Sequence, residues 1–206
     1  MKKLLQSLLK STSIFLFAVL AIAPAARGAV SVVMAKSSGT NFNGWANPGS
    51  VTNTWNDPAF AVPAQRIDGM LVVMVAGEGG VTSLNITWNG TPLTLQSAAT
   101  GSSYVFVYAL AQPAAGTGPL IVNGPGGNRY GVAAIYATGV LGLEASDAIN
   151  IAGVETLTTG LITPTSGALV VSVGAHTEGS FPIPPPGMTG STRLMNLTGS
   201  GSGGAA

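Results

Sequence analysis

Cysteine is absent from the 206 residues, and histidine and charged residues are scarce. The lack of cysteine excludes disulfides, thiolate metal sites, a cysteine nucleophile and the lipid-modified cysteine of a lipoprotein. The single histidine, His176, restricts imidazole chemistry to one position. Only 7% of the residues are charged, whereas 46% are hydrophobic. A chain of this length and composition is therefore expected to depend on a hydrophobic core.

Helical periodicity is also missing after the first 28 residues, since no long segment repeats its apolar residues every 3.6 positions between capping residues. Short apolar runs separated by Gly, Pro and Asn replace it, and the chain contains 29 glycines and 13 prolines. This pattern predicts an all-β fold, a two-sheet antiparallel β-sandwich of the jelly-roll or Ig-like kind. A closed barrel is the alternative.

The N-terminus has the layout of a secretory signal peptide over residues 1–28. Three lysines precede an apolar run, Ile14 to Ala23, which is followed by the small-residue stretch Ala25 to Ala29. The run is shorter than the roughly 20 residues of a membrane span, and cleavage fits after Gly28 or after Ala25. An anchor that is never cut is the alternative.

Removal of the leader would change the charge of the protein. The full chain carries a formal charge of +1, but four of its eight basic residues lie in residues 1–28. Four basic residues would then face seven acids, for a net charge near −3. This balance argues against a nucleic-acid partner. No membrane span is expected after cleavage.

The strongest local signal is a hairpin around Asn89-Gly90. Two alternating runs flank this dipeptide, which favours a type I′ turn. Closing the turn there pairs Trp88 with Thr91, and the same register pairs three further positions on each side: Thr87 with Pro92, Ile86 with Leu93, and Leu84 with Leu95. Pro92, which has no N–H, is expected on a sheet edge.

Several other segments are predicted from their apolar patterns. Met70–Ala76 and Tyr104–Leu110 are apolar on both faces, which is typical of central strands, and Tyr130–Thr138 is a third long apolar run. Two short strands are predicted at Val51–Trp55 and Ala59–Val62, and Leu141–Ile151 is predicted to be a loop. The sandwich domain is assigned to residues 29–199 and a Gly/Ser-rich tail to residues 200–206. A truncated chain that lacks its final strand and a genuine short tail both remain open.

The hairpin Ile86–Leu93, the segment Tyr104–Gly118 and the closing run Ala133–Val140 resemble a class of bacterial secreted β-sandwich domains. These domains share a T-W-N-G-x-x-L hairpin, an A/N-P-x-x-G-T-G turn and a closing G-V. They recur in predicted surface, matrix and exosortase-sorted proteins. The resemblance implies the sandwich fold and an exported protein, and it implies no catalytic residues because the class has no catalytic motif.

Reactive groups do not form a recognisable motif. A metal site at His176 and Glu178 would need a further ligand from elsewhere, and a Ser-His-Asp triad would have to use His176 without a Gly-x-Ser-x-Gly elbow. The seven acids, which a glycoside hydrolase would need in a pair, lie near predicted turns: Asp57, Asp68, Glu78, Glu144, Asp147, Glu155 and Glu178. We therefore predict no catalytic residues, no metal and no cofactor.

Trp45 and Trp55 are the candidate ligand-binding residues, because both lie in a polar, Asn/Gly-rich segment where an exposed ring could stack on a sugar. The alternative is that each ring fills one end of the core. Trp88, which shares a face of the hairpin with Ile86, is expected in the core. The sequence thus predicts a non-enzymatic protein, secreted, extracellular or on the cell surface, with the periplasm as alternative. Its role would be structural or adhesive, and its partners extracellular polysaccharide or other surface proteins. A carbohydrate-binding module is the second hypothesis, and a hydrolase is the third.

Overall fold

The computed structural model describes residues 14–24, 30–37, 53–78, 80–101, 103–124, 130–152, 168–176 and 204–205. Within these ranges every regular element is a β-strand, and every strand pair is antiparallel. These ranges contain no helix long and apolar enough to cross a membrane. In chain order the strands are β1 (Ile14–Pro24), β2 (Ser31–Ser37), β3 (Asn53–Val62), β4 (Met70–Glu78), β5 (Asn85–Trp88), β6 (Thr91–Pro92), β7 (Thr94–Thr100), β8 (Ser103–Ala111), β9 (Gly116–Gly124), β10 (Tyr130–Thr138), β11 (Val140–Ala152), β12 (Leu169–His176) and β13 (Gly204–Ala205).

The strands form three sheets. The central sheet has the order β2-β10-β4-β8-β7, and the hairpin sheet has the order β3-β9-β5-β6. The β1 sheet has the order β11-β1-β12-β13. All three orders are open, so the sheets do not close into a barrel. The predicted all-β antiparallel sandwich is confirmed by the central sheet and the hairpin sheet.

The central sheet is buried on both faces because a sheet lies on each side of it. Alternate residues of a strand point to opposite faces, and β4 shows this clearly. Val73 and its odd-numbered neighbours pack with the hairpin sheet, whereas Val72 and its even-numbered neighbours pack with the β1 sheet. The strand order places β4 and β8 inside the central sheet, which confirms the predicted central positions of Met70–Ala76 and Tyr104–Leu110. Burial of both faces explains the doubly apolar pattern of these strands.

The hairpin turn has the predicted geometry. Asn89 and Gly90 have φ angles of 46° and 80°, which fits a type I′ turn. Trp88 pairs with Thr91, and the next pair brings Pro92 into β6 at the edge of the hairpin sheet. The edge position predicted for this proline is confirmed.

The hairpin is shorter than predicted, and the pairing of Leu84 with Leu95 is wrong. The N–H of Leu93 still donates to the carbonyl of Ile86 at 2.9 Å, but β7 begins at the next residue and belongs to the central sheet. Leu95 pairs there with Tyr108 and is 44% exposed. Pairing with β8 thus places β7 in the central sheet instead of extending the hairpin.

Two other predictions need correction. Leu141–Ile151 is not a loop, because it lies within β11, which pairs with β1 along its length. The two short strands predicted at Val51–Trp55 and Ala59–Val62 are replaced by a single strand, β3. Its register against β9 shifts between Asp57 and Phe60, so one irregular strand resembles two in the sequence.

The most unexpected strand is β1, which comprises the apolar run assigned to the leader. It lies between β11 and β12, and Ile22 near its end is fully buried. The β1 sheet therefore supplies the third layer of the molecule, which the two-sheet prediction did not include. Local sequence pattern gave no sign of it because the pairing joins segments more than 100 residues apart.

Candidate functional site

Of the two predicted ligand-binding tryptophans, one lies in the described part of the chain. Trp45 lies outside the described residues. Trp55 is in β3, where its backbone lies opposite Val122 of β9, which in turn lies opposite Ile86 of β5. Val122 and Ile86 are both buried against the central sheet. The backbone of Trp55 therefore lies in register with these two residues across the hairpin sheet.

The outer face of the hairpin sheet carries an exposed polar row, formed by Thr54, Asn85 and Asn123. Asn123 of β9 lies opposite both Thr54 of β3 and Asn85 of β5. The hydroxyl of Thr54 donates to Oδ1 of Asn123 at 3.1 Å. We call these three residues the amide row. Its exposed amide and hydroxyl groups are able to hydrogen-bond to the hydroxyl groups of a sugar.

Sequence analysis did not find the amide row, because the register of three strands from distant parts of the chain creates it. The alternation of the hairpin placed Asn85 on the face opposite to Ile86, which is the only local signal. The other two positions become its neighbours through the pairing of β9 with β3 and β5.

An ion pair joins the irregular part of β3 to the central sheet. Lys36 Nζ on β2 lies 2.7 Å from Asp57 Oδ2, and the other carboxylate oxygen accepts from the N–H of Ala59 at 3.1 Å. The ammonium also lies 5.8 Å from the centroid of the Phe60 ring. Since the lysine side chain is 40% exposed, the pair is expected to add only about 0–1 kcal/mol. The ion pair therefore holds Asp57 of β3 beside β2 but adds little to the stability of the fold.

A second ion pair lies in the segment that precedes β4. Arg66 donates to both carboxylate oxygens of Asp68, from Nε at 2.7 Å and from Nη2 at 2.9 Å. These hydrogen bonds hold the pKa of Asp68 below its usual range and raise the pKa of Arg66. The hydroxyl of Tyr136 donates to the carbonyl of Ala64 at 2.7 Å, and burial raises its pKa. The ion pair thus joins two residues of this segment, and the hydroxyl of Tyr136 ties the segment to β10 of the central sheet.

The buried polar atoms of Tyr108 and Trp88 also bond to the backbone. The hydroxyl of Tyr108 donates to the carbonyl of Leu84 at 2.8 Å and accepts from its N–H at 3.1 Å. Trp88 Nε1 donates to the carbonyl of Ala114 at 3.3 Å, and its ring meets that of Phe60 edge-on at 5.5 Å between centroids. The predicted core position of Trp88 is confirmed.

The groups that metal or acid–base chemistry would need are not gathered in the described ranges. No cluster of three or more His, Cys, Asp or Glu side chains that could hold a metal ion occurs there. His176 is the last residue of β12, opposite Phe15 of β1, and Glu178 lies outside the described residues. Asp57 and Asp68 are each held in their own ion pair.

Comparisons with protein-family models, with curated proteins and with solved structures returned no significant match to this chain.

Proposed function

We propose that the chain is an exported, non-enzymatic protein of the extracellular space or the cell surface, with a structural or adhesive role. The observation that carries the proposal is the way in which the protein uses its charged side chains. The four charged side chains described, those of Lys36, Asp57, Arg66 and Asp68, form two ion pairs that hold parts of the scaffold in place. This use of polar groups is typical of a scaffold rather than of a reactive cleft.

The layout of residues 1–28 supports export by this chain. Basic residues, an apolar run and small residues occur in the order typical of a secretory signal peptide. The hairpin that resembles those of bacterial secreted β-sandwich domains has the turn geometry expected of it. We propose the outside of the cell or its surface as the location, with the periplasm as alternative. The partners would be extracellular polysaccharide or other surface proteins.

Export is tested by expressing the full chain in a bacterium, separating the cell fractions and measuring the intact mass of the protein. We expect the extracellular or surface fraction to contain a chain that begins at Ala29 or Ala26. A double variant, Leu16→Arg and Leu20→Arg, interrupts the apolar run and should keep the protein in the cytoplasm. Wild-type protein that stays in the cytoplasm at full mass would contradict the proposal.

The adhesive role is tested separately with the exported protein. Cells or polysaccharide-coated beads are mixed with purified protein, and their aggregation is followed by light scattering. The native protein should increase aggregation, whereas protein denatured by heat should not. Unchanged aggregation with native protein would contradict an adhesive role.

The amide row favours a carbohydrate-binding module as a second candidate function. A polysaccharide pull-down or a glycan array should compare the wild type with Trp45→Ala, with Trp55→Ala and with the double variant Asn85→Ala, Asn123→Ala. Loss of binding in the double variant alone would place the sugar on the amide row, and loss in the tryptophan variants would place it on those rings. Absence of binding by the wild type would remove this candidate.

A further inference from the structure

The position of β1 in its sheet makes two other strands dependent on it. β1 pairs with β11 from Ile14 to Pro24 and with β12 from Phe15 to Ile22. The order β11-β1-β12-β13 shows that β11 and β12 do not pair with each other. β11 has no other neighbour among the described strands. We call the gap between β11 and β12, which β1 fills, the acceptor slot.

The acceptor slot has an apolar floor as well as two backbone edges. Ile22 is fully buried in a cluster that includes Val171 and Val173 of β12. The same cluster includes Val105 and Val107 of the central sheet, and β1 lies against β7 and β8. An occupant therefore gains antiparallel hydrogen bonds on both sides and apolar burial underneath, which is the physical basis of recognition by strand addition.

The residues of β1 define the chemistry of the occupant. They form an extended segment without a single charge, and eight of its residues pair on both sides. The same residues are the apolar run of the proposed leader. Cleavage after Gly28 or after Ala25 would separate β1 from the rest of the chain.

We propose that removal of the leader opens the acceptor slot, and that the slot then takes an apolar extended segment from another exported polypeptide. This inference rests on the export proposed above. An open slot leaves the inner edges of β11 and β12 without partners, and such edges readily pair with another chain. In a second leader-free copy, β11 would lack its only partner among the described strands, but it carries Glu144 and Asp147 and does not match an uncharged occupant. The proposal therefore assigns the donor segment to a different polypeptide, which strand donation would join to this scaffold.

The test starts from the full chain with a protease site placed in residues 25–29, so that the protein folds before it is cut. The probe is a fluorescent peptide of residues 14–24 with two lysines added at each end for solubility. After cleavage, we expect the peptide to exchange into the slot with one bound per protein. Fluorescence anisotropy gives its affinity.

Two variant peptides make the test specific. Ile22→Asp places a charge at a fully buried position and should weaken binding about a hundredfold or more. Ala21→Asp places the same charge one residue away, opposite Val170, which is 37% exposed, and should change the affinity by no more than about threefold. Equal binding of both variants would show a non-specific hydrophobic contact and would overturn the proposal.

Hydrogen exchange gives an independent measurement on the protein itself. The amides of β11 and β12 should lose protection when the cut leader is removed and regain it when the wild-type peptide is added. Persistent protection without peptide would show that the slot closes on itself, which overturns the proposal. An exported protein whose mass still includes residues 14–24 would also overturn the proposal, because β1 would then fill the slot permanently. Mass therefore distinguishes this failure from a failure of export, in which no protein leaves the cytoplasm.

Discussion

Replacing Tyr108 with phenylalanine removes one oxygen atom that holds the entry to the hairpin. That hydroxyl makes two hydrogen bonds to the backbone of Leu84, at 2.8 and 3.1 Å, and both residues are buried. A typical hydrogen bond contributes about 0.5–1.5 kcal/mol net, and a buried group left without a partner costs more. We therefore expect Tyr108→Phe to lower the free energy of unfolding by about 2–4 kcal/mol. The ring remains, so cavity formation adds little.

The matched control is Tyr136→Phe. Its hydroxyl makes one hydrogen bond, to the carbonyl of Ala64, and that residue is exposed. Because water can replace the lost donor, we expect a loss of only about 0.5–1.5 kcal/mol. Both variants are measured by urea unfolding, with an unchanged dependence on denaturant as evidence that the unfolded states are alike. A loss for Tyr108→Phe that is no larger than the loss for Tyr136→Phe would show that the two buried hydrogen bonds contribute no more than the single exposed one.

The same hydroxyl predicts a loss of stability at alkaline pH. Burial raises the pKa of Tyr108 above its value in the unfolded chain. Its contribution is therefore complete below the unfolded pKa of about 10 and is lost as the pH rises toward the folded value. Unfolding measured between pH 9 and pH 11 should show this decline, and Tyr108→Phe should reduce its slope. An equal slope in the variant would show that other groups cause the decline.

Three further predictions concern the scaffold. Gly69→Ala should cost about 1–3 kcal/mol, because a Cβ there would lie 2.5 Å from a tyrosine hydroxyl, whereas Gly80→Ala, with open space around it, should be nearly neutral in the same urea titration. In a double-mutant cycle, Phe60→Leu and Trp88→Leu should show a coupling of about 0.5–1.5 kcal/mol from their edge-on rings, and strictly additive losses would contradict that contact. The hydrogen bond from Arg66 lowers the pKa of Asp68, so the stability that Asp68 contributes is present above the pKa of the unfolded chain and is lost as the pH falls through the folded pKa. Asp68→Asn should therefore make the loss of stability in acid less steep, and an unchanged dependence on acid pH would contradict this prediction.

The candidate site shows which functional features can be predicted from the local pattern of the sequence. The core position of Trp88 followed from the alternation of the hairpin, and the structure confirms it. The position of Trp55 in its sheet did not follow from the sequence, because a polar neighbourhood along the chain does not reveal the register of β3. The amide row was missed for the same reason, since its members come together through pairing of three strands.

Features that depend on near neighbours along the chain were predictable from the residues alone. Asn89 and Gly90 specify their turn because few residue pairs tolerate positive φ at both positions. The strands that are apolar on both faces indicate central positions in a sheet. Three features became evident only in the fold: where the hairpin ends, that Leu141–Ile151 forms a strand, and that the apolar run near the N-terminus lies in a third sheet. Each of these outcomes depends on which strand edge, far away along the chain, is free to pair. The apolar pattern of a strand indicates that the strand will pair, but it does not indicate with which edge.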